Sequence, residues 1–423
     1  MNTVRWWSCL FFLLMGVSAK AQTRAPLTWE ELHQRFEQNN PTLLAGNLGI
    51  DESRAQEITA YLRPNPQFSL SVDGTQIAPH KGVWRPFAGT FEYPGISYLH
   101  ERQHKRELRL ESAQEGTAIA ISGQADLNRT LLFALRSAFV GALQAKVTLK
   151  VVQDNLAYWD KVLAISRDRF KAGDLAQIDL DRLELQRAQF ESDVQMAEEN
   201  LETAKILLLM FLNERTPIDQ FDVTGPFDFS EPLPPVDDFR KVALDTRPDL
   251  KAATQAVVKA RTDHKLAVAN GSTDPTFSAW YTHNSSNNNP FGINTLGASV
   301  SIPLRIFDRN QGEKLRTQLD IDRNQRLLDA TQAQVFSDVD SAHATVESDL
   351  ILLRPYKAKY LEQAVRVRET VRFSYEHGGA ALLDFLNAES DYRMVQLNYV
   401  NLIGSYLTAA AQLNSAVGRE MVQ

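Results

Sequence analysis

The 423-residue sequence predicts a mostly helical fold with a small β component, built from two copies of one unit. Three observations predict it. Short motifs return in the same order in the second half, brief segments alternate apolar and polar residues, and long stretches repeat apolar residues in steps of three and four. Glycines and prolines are few and clustered, which leaves room for long uninterrupted elements.

The duplication comes first because it organises the chain. Asn40-Pro41-Thr42-Leu43 recurs as Arg247-Pro248-Asp249-Leu250, and Pro66-Gln67-Phe68-Ser69 recurs 209 positions on as Pro275-Thr276-Phe277-Ser278. The same offset sets Phe91-Glu92-Tyr93-Pro94 on Val300-Ser301-Ile302-Pro303. Phe170-x-x-Gly173, followed by Asp179 and Glu184, returns with identical internal spacing as Tyr375-x-x-Gly378, followed by Asp384 and Glu389. These matches divide the chain into a leader over 1–21, a first repeat over 22–212, a Pro-rich linker over 213–236 and a second repeat over 237–423. Each repeat is expected to run short helix, proline turn, helix, two strands, very long helix, glycine turn, long helix.

The leader sets the compartment. Arg5 precedes the apolar run Trp6 to Val17, and Ala19-Lys20-Ala21 is a small-x-small cleavage pattern, so residues 1–21 read as a secretory signal peptide. The one cysteine, Cys9, lies inside it, which excludes disulfides and thiolate chemistry from the mature protein. The most apolar later run, Ile206 to Leu212, is too short to span a bilayer. A net charge of −7 with no long basic block argues against nucleic-acid binding.

The strands carry the alternation. Phe68, Leu70 and Val72 share one face of the first, and Phe87, Gly89, Phe91 and Tyr93 share a face of the second. In the second repeat Phe277, Ala279 and Tyr281 alternate, as do Leu296, Ala298, Val300 and Ile302. Four strands cannot close a barrel, and an open edge in lipid leaves backbone groups unpaired, so membrane-spanning strands here require several chains in one barrel. Taken alone, they fit an ordinary soluble sheet equally well.

The helices decide against that alternative. Leu135, Ala138, Ala142, Ala145, Leu149, Val152, Leu156, Trp159 and Leu163 form one coiled-coil seam. Phe190, Val194, Ala197, Leu201, Ala204 and Leu208 form another, and Phe385 through Tyr399 to Leu413 keeps the same beat. The stretches from about 97 to 171 and from about 304 to 376 hold no strong breaker except Pro355, and such helices reach on the order of 110 Å. A tube of antiparallel helices accommodates rods of that length.

With its signal peptide, duplicated units and Gly-turned hairpins, the chain resembles the TolC family of outer-membrane efflux proteins. The resemblance implies a homotrimer whose twelve strands, four per chain, form one outer-membrane β-barrel. A tunnel of twelve helices would continue it through the periplasm, with an equatorial domain formed partly by the linker and C-terminus. It implies an exit duct for small solutes, working with a periplasmic adaptor (membrane fusion protein) and an inner-membrane resistance–nodulation–division pump. No cofactor is implied. The segment Pro303-Leu304-Arg305-Ile306-Phe307-Asp308-Arg309-Asn310-Gln311-Gly312 is similar to a junction in the CzcC-like, heavy-metal branch.

That likeness makes Phe170, Gly173, Tyr375 and Gly378 the adaptor-contact tips, and Asp179 and Asp384 rings of acids at a periplasmic gate. The family's second acid is Asn387 here, and Ala380 stands where some members carry an arginine. The plain alternatives are tight turns and helix-capping acids. His100 and His104 have a ligand-like spacing but no third partner, and Glu31, Glu101 and Glu107 pair with no nucleophile. No catalytic constellation is present. The competing functions are a soluble periplasmic coiled-coil adaptor or scaffold and a secreted pore-forming protein.

Overall fold

The computed structural model describes residues 25–87, 89–284 and 293–422, with only the backbone of Asn284. The leader and most of the second strand-to-strand loop lie outside the described residues.

The element order runs α1 (Trp29–Asn39), α2 (Pro41–Tyr61), β1 (Gln67–Asp73), β2 (Phe91–Leu99), α3 (Lys105–Ala172) and α4 (Gln177–Leu212). It is then traversed again as α5 (Val236–Thr246), α6 (Pro248–Asn270), β3 (Thr276–Asn284), β4 (Asn294–Ser301), α7 (Gln311–Pro355), α8 (Leu361–Glu376) and α9 (Leu382–Val417). At 1.5 Å per residue, α3 alone rises about 100 Å. A π-helical turn, Tyr356–Tyr360, separates α7 from α8. The expected single helix is interrupted there because Pro355 has no N–H to donate and its ring crowds the preceding turn.

The described residues fall into two compact units, each drawn from three stretches of chain: those within 25–40, 135–228 and 353–407 in one, and those within 41–134, 229–352 and 408–422 in the other. The recurring X-Pro motifs do the same job in each. Asn40 Nδ2 donates to the Phe211 carbonyl near the end of α4 at 2.9 Å. Arg247 Nη1 donates to the Ala416 carbonyl near the end of α9, also at 2.9 Å. In both repeats the residue before the proline ties the first helical corner to the orphan carbonyls of the last helix.

The second unit holds one antiparallel sheet of order β1-β2-β3-β4. Its register sorts the two faces. Phe68 stands opposite Ile96, Ile96 opposite Ala279, and Ala279 opposite Ala298. With Leu70, Val72, Phe277, Tyr281, Leu296 and Val300 they make an apolar face that is open to the surroundings. The other face carries Ser69, Ser71, Gly95, Ser97, Ser278, Thr282, Gly297 and Ser299, with Trp280 between the glycines and Asp73 at the loop end of β1. Gly297 is required there, because a Cβ would come within 2.4 Å of the Trp280 ring.

Two expectations are corrected. The second strand begins at Phe91, so Phe87 and Gly89 precede it, and Phe91 and Tyr93 fall on the small, polar face, where their rings stack 6.1 Å apart. The outward positions are Pro94, Ile96 and Tyr98, the one-residue change of phase that moves every side chain to the other face. Second, Pro94 is not the counterpart of Pro303. It sits inside β2 opposite Leu70, and neither Tyr93 nor Pro94 is among the β2–β3 pairs, as the missing proline N–H dictates. Val300, opposite Phe277, corresponds instead to Ile96, opposite Phe68. By composition α3 also holds an apolar eighteen-residue stretch, a third of it buried within the protein. Its Leu135, Phe139, Val140, Ala142 and Leu143 are buried core side chains.

The two faces make opposite demands in lipid. Ala298→Arg, on the apolar face, should cost ~2–4 kcal/mol of membrane-inserted stability, whereas Ser299→Arg should cost little. Heat-modifiability and denaturant melts of outer-membrane preparations check this.

Candidate functional site

The tips are built by the parts of α3, α4, α8 and α9 that lie within the first unit. Trp159 and Leu163 from α3, Leu180, Leu183 and Phe190 from α4, and Leu382 and Phe385 from α9 form a buried cluster. Phe170, Leu175, Val371 and Tyr375 pack around it. Trp159 Nε1 donates to the Leu183 carbonyl at 3.0 Å, and its ring lies 5.2 Å from Phe190 and 6.0 Å from Phe385. Tyr375 stacks on Phe385 at 5.0 Å. The seams predicted over α3, α4 and α9 therefore converge here.

Both tips turn through the same motif. Gly173 has φ +85° and its N–H donates to the Phe170 carbonyl, while Asp174 N–H donates to the Arg169 carbonyl. Gly378 has φ +75°, with Gly378 N–H to Tyr375 and Gly379 N–H to Ser374. This paired set of bonds is the Schellman turn, which needs its central residue left-handed. A Cβ on either glycine would meet nothing within 4 Å, so the requirement is backbone conformation rather than space.

Asp179 and Asp384 occupy the same place in the helices that follow, the third residue and so the first turn of α4 and α9. Asp384 Oδ2 accepts from Ala381 N–H at 3.2 Å, and the half-buried Asp179 lies 3.8 Å from Arg182. Each is favoured by the positive end of its helix. Asn387, three residues past Asp384, is exposed. Tyr375 joins the two tips: Arg169 lies 5.5 Å over its ring, its buried hydroxyl makes no hydrogen bond among the described residues, and burial pushes its pKa up, with the Asp179 charge adding to the shift.

One cluster was not assigned a role from sequence. Glu389, nearly buried, accepts a 3.0 Å hydrogen bond from the Tyr158 hydroxyl of α3. Arg368 of α8 lies 4.9 Å over the Tyr158 ring and 4.0 Å over that of Tyr392, and it donates to Glu369, which Arg372 also contacts. Burial raises the Glu389 carboxyl above its ordinary range, and burial beside that carboxylate pushes Tyr158 up to about 12. Its counterpart Glu184 instead makes an exposed pair with Arg167 at 2.9 Å. The signal was present as the arginine-rich stretch of α8, which needs acidic partners.

The remaining candidates have structural partners. His104 sits before α3 at φ +52° and His100 follows β2, so the two do not share a helix face. Glu31 closes the capping box of α1, Glu101 pairs with Arg109 at 2.5 Å, and Glu107 pairs with Arg106. Among the described residues no group of three or more His, Asp or Glu is placed to hold a metal ion. The Pro303–Gly312 junction is a turn in which Asn310, at φ +61°, donates through Nδ2 to the Ala267 carbonyl at 2.7 Å.

An open sheet with one apolar and one largely hydroxyl-lined face, in a chain that also carries helical hairpins with matched acidic turns, has the build expected of an outer-membrane channel protomer. Residues 240–419 match the family described as outer membrane efflux protein. The cobalt-zinc-cadmium resistance protein CzcC of Cupriavidus metallidurans is 21% identical over 408 residues, covering 94% of this chain and 91% of that protein. Solved structures with the same fold include CusC (TM-score 0.79, 17% identity, 92% of each chain) and the outer membrane protein VceC of Vibrio cholerae (TM-score 0.76, 16% identity, 92% of this chain and 96% of that one). The chain is thus similar to the TolC-type outer-membrane efflux proteins, through a family match over its second repeat and a shared fold along nearly its whole length.

Two outcomes test the tip. Gly378→Ala should cost ~1–2 kcal/mol, and Gly378→Asn less, because only the left-handed backbone is at stake. Tyr158→Phe should cost ~1–3 kcal/mol at neutral pH by leaving the buried carboxylate without its donor. The Glu389 proton is held more tightly in the folded state. Its stabilising contribution is therefore full below the ordinary glutamate value and lost as pH rises through the raised one. Glu389→Gln should abolish that dependence, read by hydrogen exchange of α8 and α9 across the acid range.

Proposed function

We propose that the chain is one of three copies forming the exit duct of a tripartite efflux assembly, passively conducting small solutes received from a periplasmic adaptor and an inner-membrane pump. The observation that carries this reading is the four-stranded sheet, whose β1 and β4 edges have no strand partner among the described residues and whose two faces differ in character. In a bilayer such a sheet must be completed by further copies. Divalent metal cations are the proposed cargo, in keeping with the similarity to a cobalt-zinc-cadmium resistance protein along nearly the whole chain.

In this arrangement the Phe170–Gly173 and Tyr375–Gly378 turns meet the adaptor. Asp179 and Asp384, each repeated three times, supply acids at the periplasmic entrance. Rings of carboxylates concentrate cations at a constriction and are themselves blocked by cations that bind too well. Asn387 in place of a further acid leaves the entrance with one fewer ring, so block should be weaker than with two acids a turn apart.

Reconstituted channels test the assignment. Asp179→Asn with Asp384→Asn should reduce block by divalent cations while leaving the open conductance in monovalent salt largely intact, and unchanged block removes the two acids from the entrance. Deleting the protein should sensitise cells to divalent metals. A soluble monomer released by osmotic shock would overturn the duct altogether.

A further inference from the structure

We infer that β4 of one copy joins β1 of the next in the register that joins β2 to β3 within the chain, so that Val300 stands opposite Leu70 of the partner subunit. This rests on the multi-copy barrel proposed above and specifies its seam. The β2–β3 ladder links the second strand of the first repeat to the first strand of the second. The seam between copies links the second strand of the second repeat to the first strand of the first, which is the same relation one step on.

The correspondence of strands fixes the residues. Phe68 faces Ile96 and Phe277 faces Val300, so Phe68 corresponds to Phe277 and Ile96 to Val300. Within the chain Ile96 stands opposite Ala279, Ser97 opposite Ser278 and Tyr98 opposite Phe277. Carried one repeat on, these become Val300 opposite Leu70 of the partner subunit, Ser301 opposite Ser69 of the partner subunit, and Ile302 opposite Phe68 of the partner subunit. Ile302 follows the last β4 residue of the sheet and is 53% exposed, available for such a pair.

Two features of the resulting seam support it independently. Apolar residues meet apolar ones and serines meet serines, so both faces continue unbroken between copies; a one-residue slip would turn serines to the lipid. The second is the slope. A line of opposed residues runs Phe68, Ile96, Ala279, Ala298 and then Val72 of the partner subunit, returning to β1 four residues further on after crossing four strands. One residue per strand, at a rise of about 3.3 Å and a spacing of about 4.8 Å, tilts the strands by about 35°. Closed barrels favour about 35–45°. A slip of two residues gives about 19° in one direction, which this range excludes. In the other direction it gives about 46°, at the upper limit, which the cysteine pairs below separate from the in-register seam.

The sole cysteine, Cys9, lies in the leader, so introduced cysteines report without background. Leu70→Cys with Val300→Cys, and separately Ser71→Cys with Ser299→Cys, are adjacent in-register pairs. Opposed pairs alternate between two geometries, of which the non-hydrogen-bonded one suits a disulfide. Oxidation of outer membranes should give covalent dimers and trimers from at least one pair, and few from Leu70→Cys with Ala298→Cys or with Ile302→Cys. Strongest linkage in a shifted pair overturns the register and leaves the assembly standing, as does failure of both in-register pairs in protein of oligomeric mass. Monomeric mass in detergent with no linkage at any register sinks the assembly itself. The serine pair changes only oxygen to sulfur, so it reports even where the larger replacements prevent folding.

Discussion

Backbone hydrogen bonding is the constraint from which the rest of this protein follows. In lipid an unpaired N–H or C=O costs several kcal/mol, so a strand edge there must find a partner. The chain supplies four short strands, two from each repeat, and leaves β1 and β4 as edges. No arrangement of a single copy can satisfy them in a bilayer, whereas a second copy presents the complementary edge. The alternation of apolar and small polar residues then assigns one face to lipid and the other to water, and the register that makes this possible is internal to the chain.

The helical unit solves a different problem, holding two hairpins together away from any membrane. Burial around Trp159, Phe190 and Phe385 supplies most of the attraction, with deletion of so large a side chain expected to cost about 3–5 kcal/mol. The Schellman turns at Gly173 and Gly378 end helices cleanly and bring Asp179 and Asp384 into matched positions. The repeats have nevertheless diverged in chemistry. Glu184 makes a solvated ion pair of small energetic consequence, while Glu389 is enclosed with a phenol and two guanidiniums, where losing one partner is expensive.

Much of this was legible from residue patterns because the patterns have a period. The seams through Leu135, Ala142, Trp159 and Leu163, and through Phe385, Tyr406 and Leu413, follow helical spacing and are buried along most of their length. The Gly173 and Gly378 turns were legible because a left-handed position selects glycine. What failed was phase. A strand containing Pro94 reads as ending at the proline, since nothing local announces that a missing N–H falls at a gap in one ladder while the other ladder continues. The Glu389 cluster was hidden for another reason: its members lie on three helices, more than 200 residues apart at the extreme, and only packing brings them together. The roles proposed for Asp179, Asp384 and Asn387 would depend on neighbours beyond one chain, and no local pattern encodes those.

The hydroxyl-bearing face of the sheet has a consequence for whatever moves past it. Ser69, Ser71, Ser97, Ser278, Thr282, Ser299 and Ser301 are short and uncharged, and glycines separate them. Phe91, Tyr93 and Trp280 share the face, and its one acid in these strands, Asp73, lies at the loop end of β1, so most of its length offers a passing ion no charge to sort it by sign. Residence times along it would be brief and nearly independent of the ion's identity. A lining of this kind behaves as a conduit whose throughput is set by its ends, and a cell could change the cargo by changing what feeds it without altering this surface.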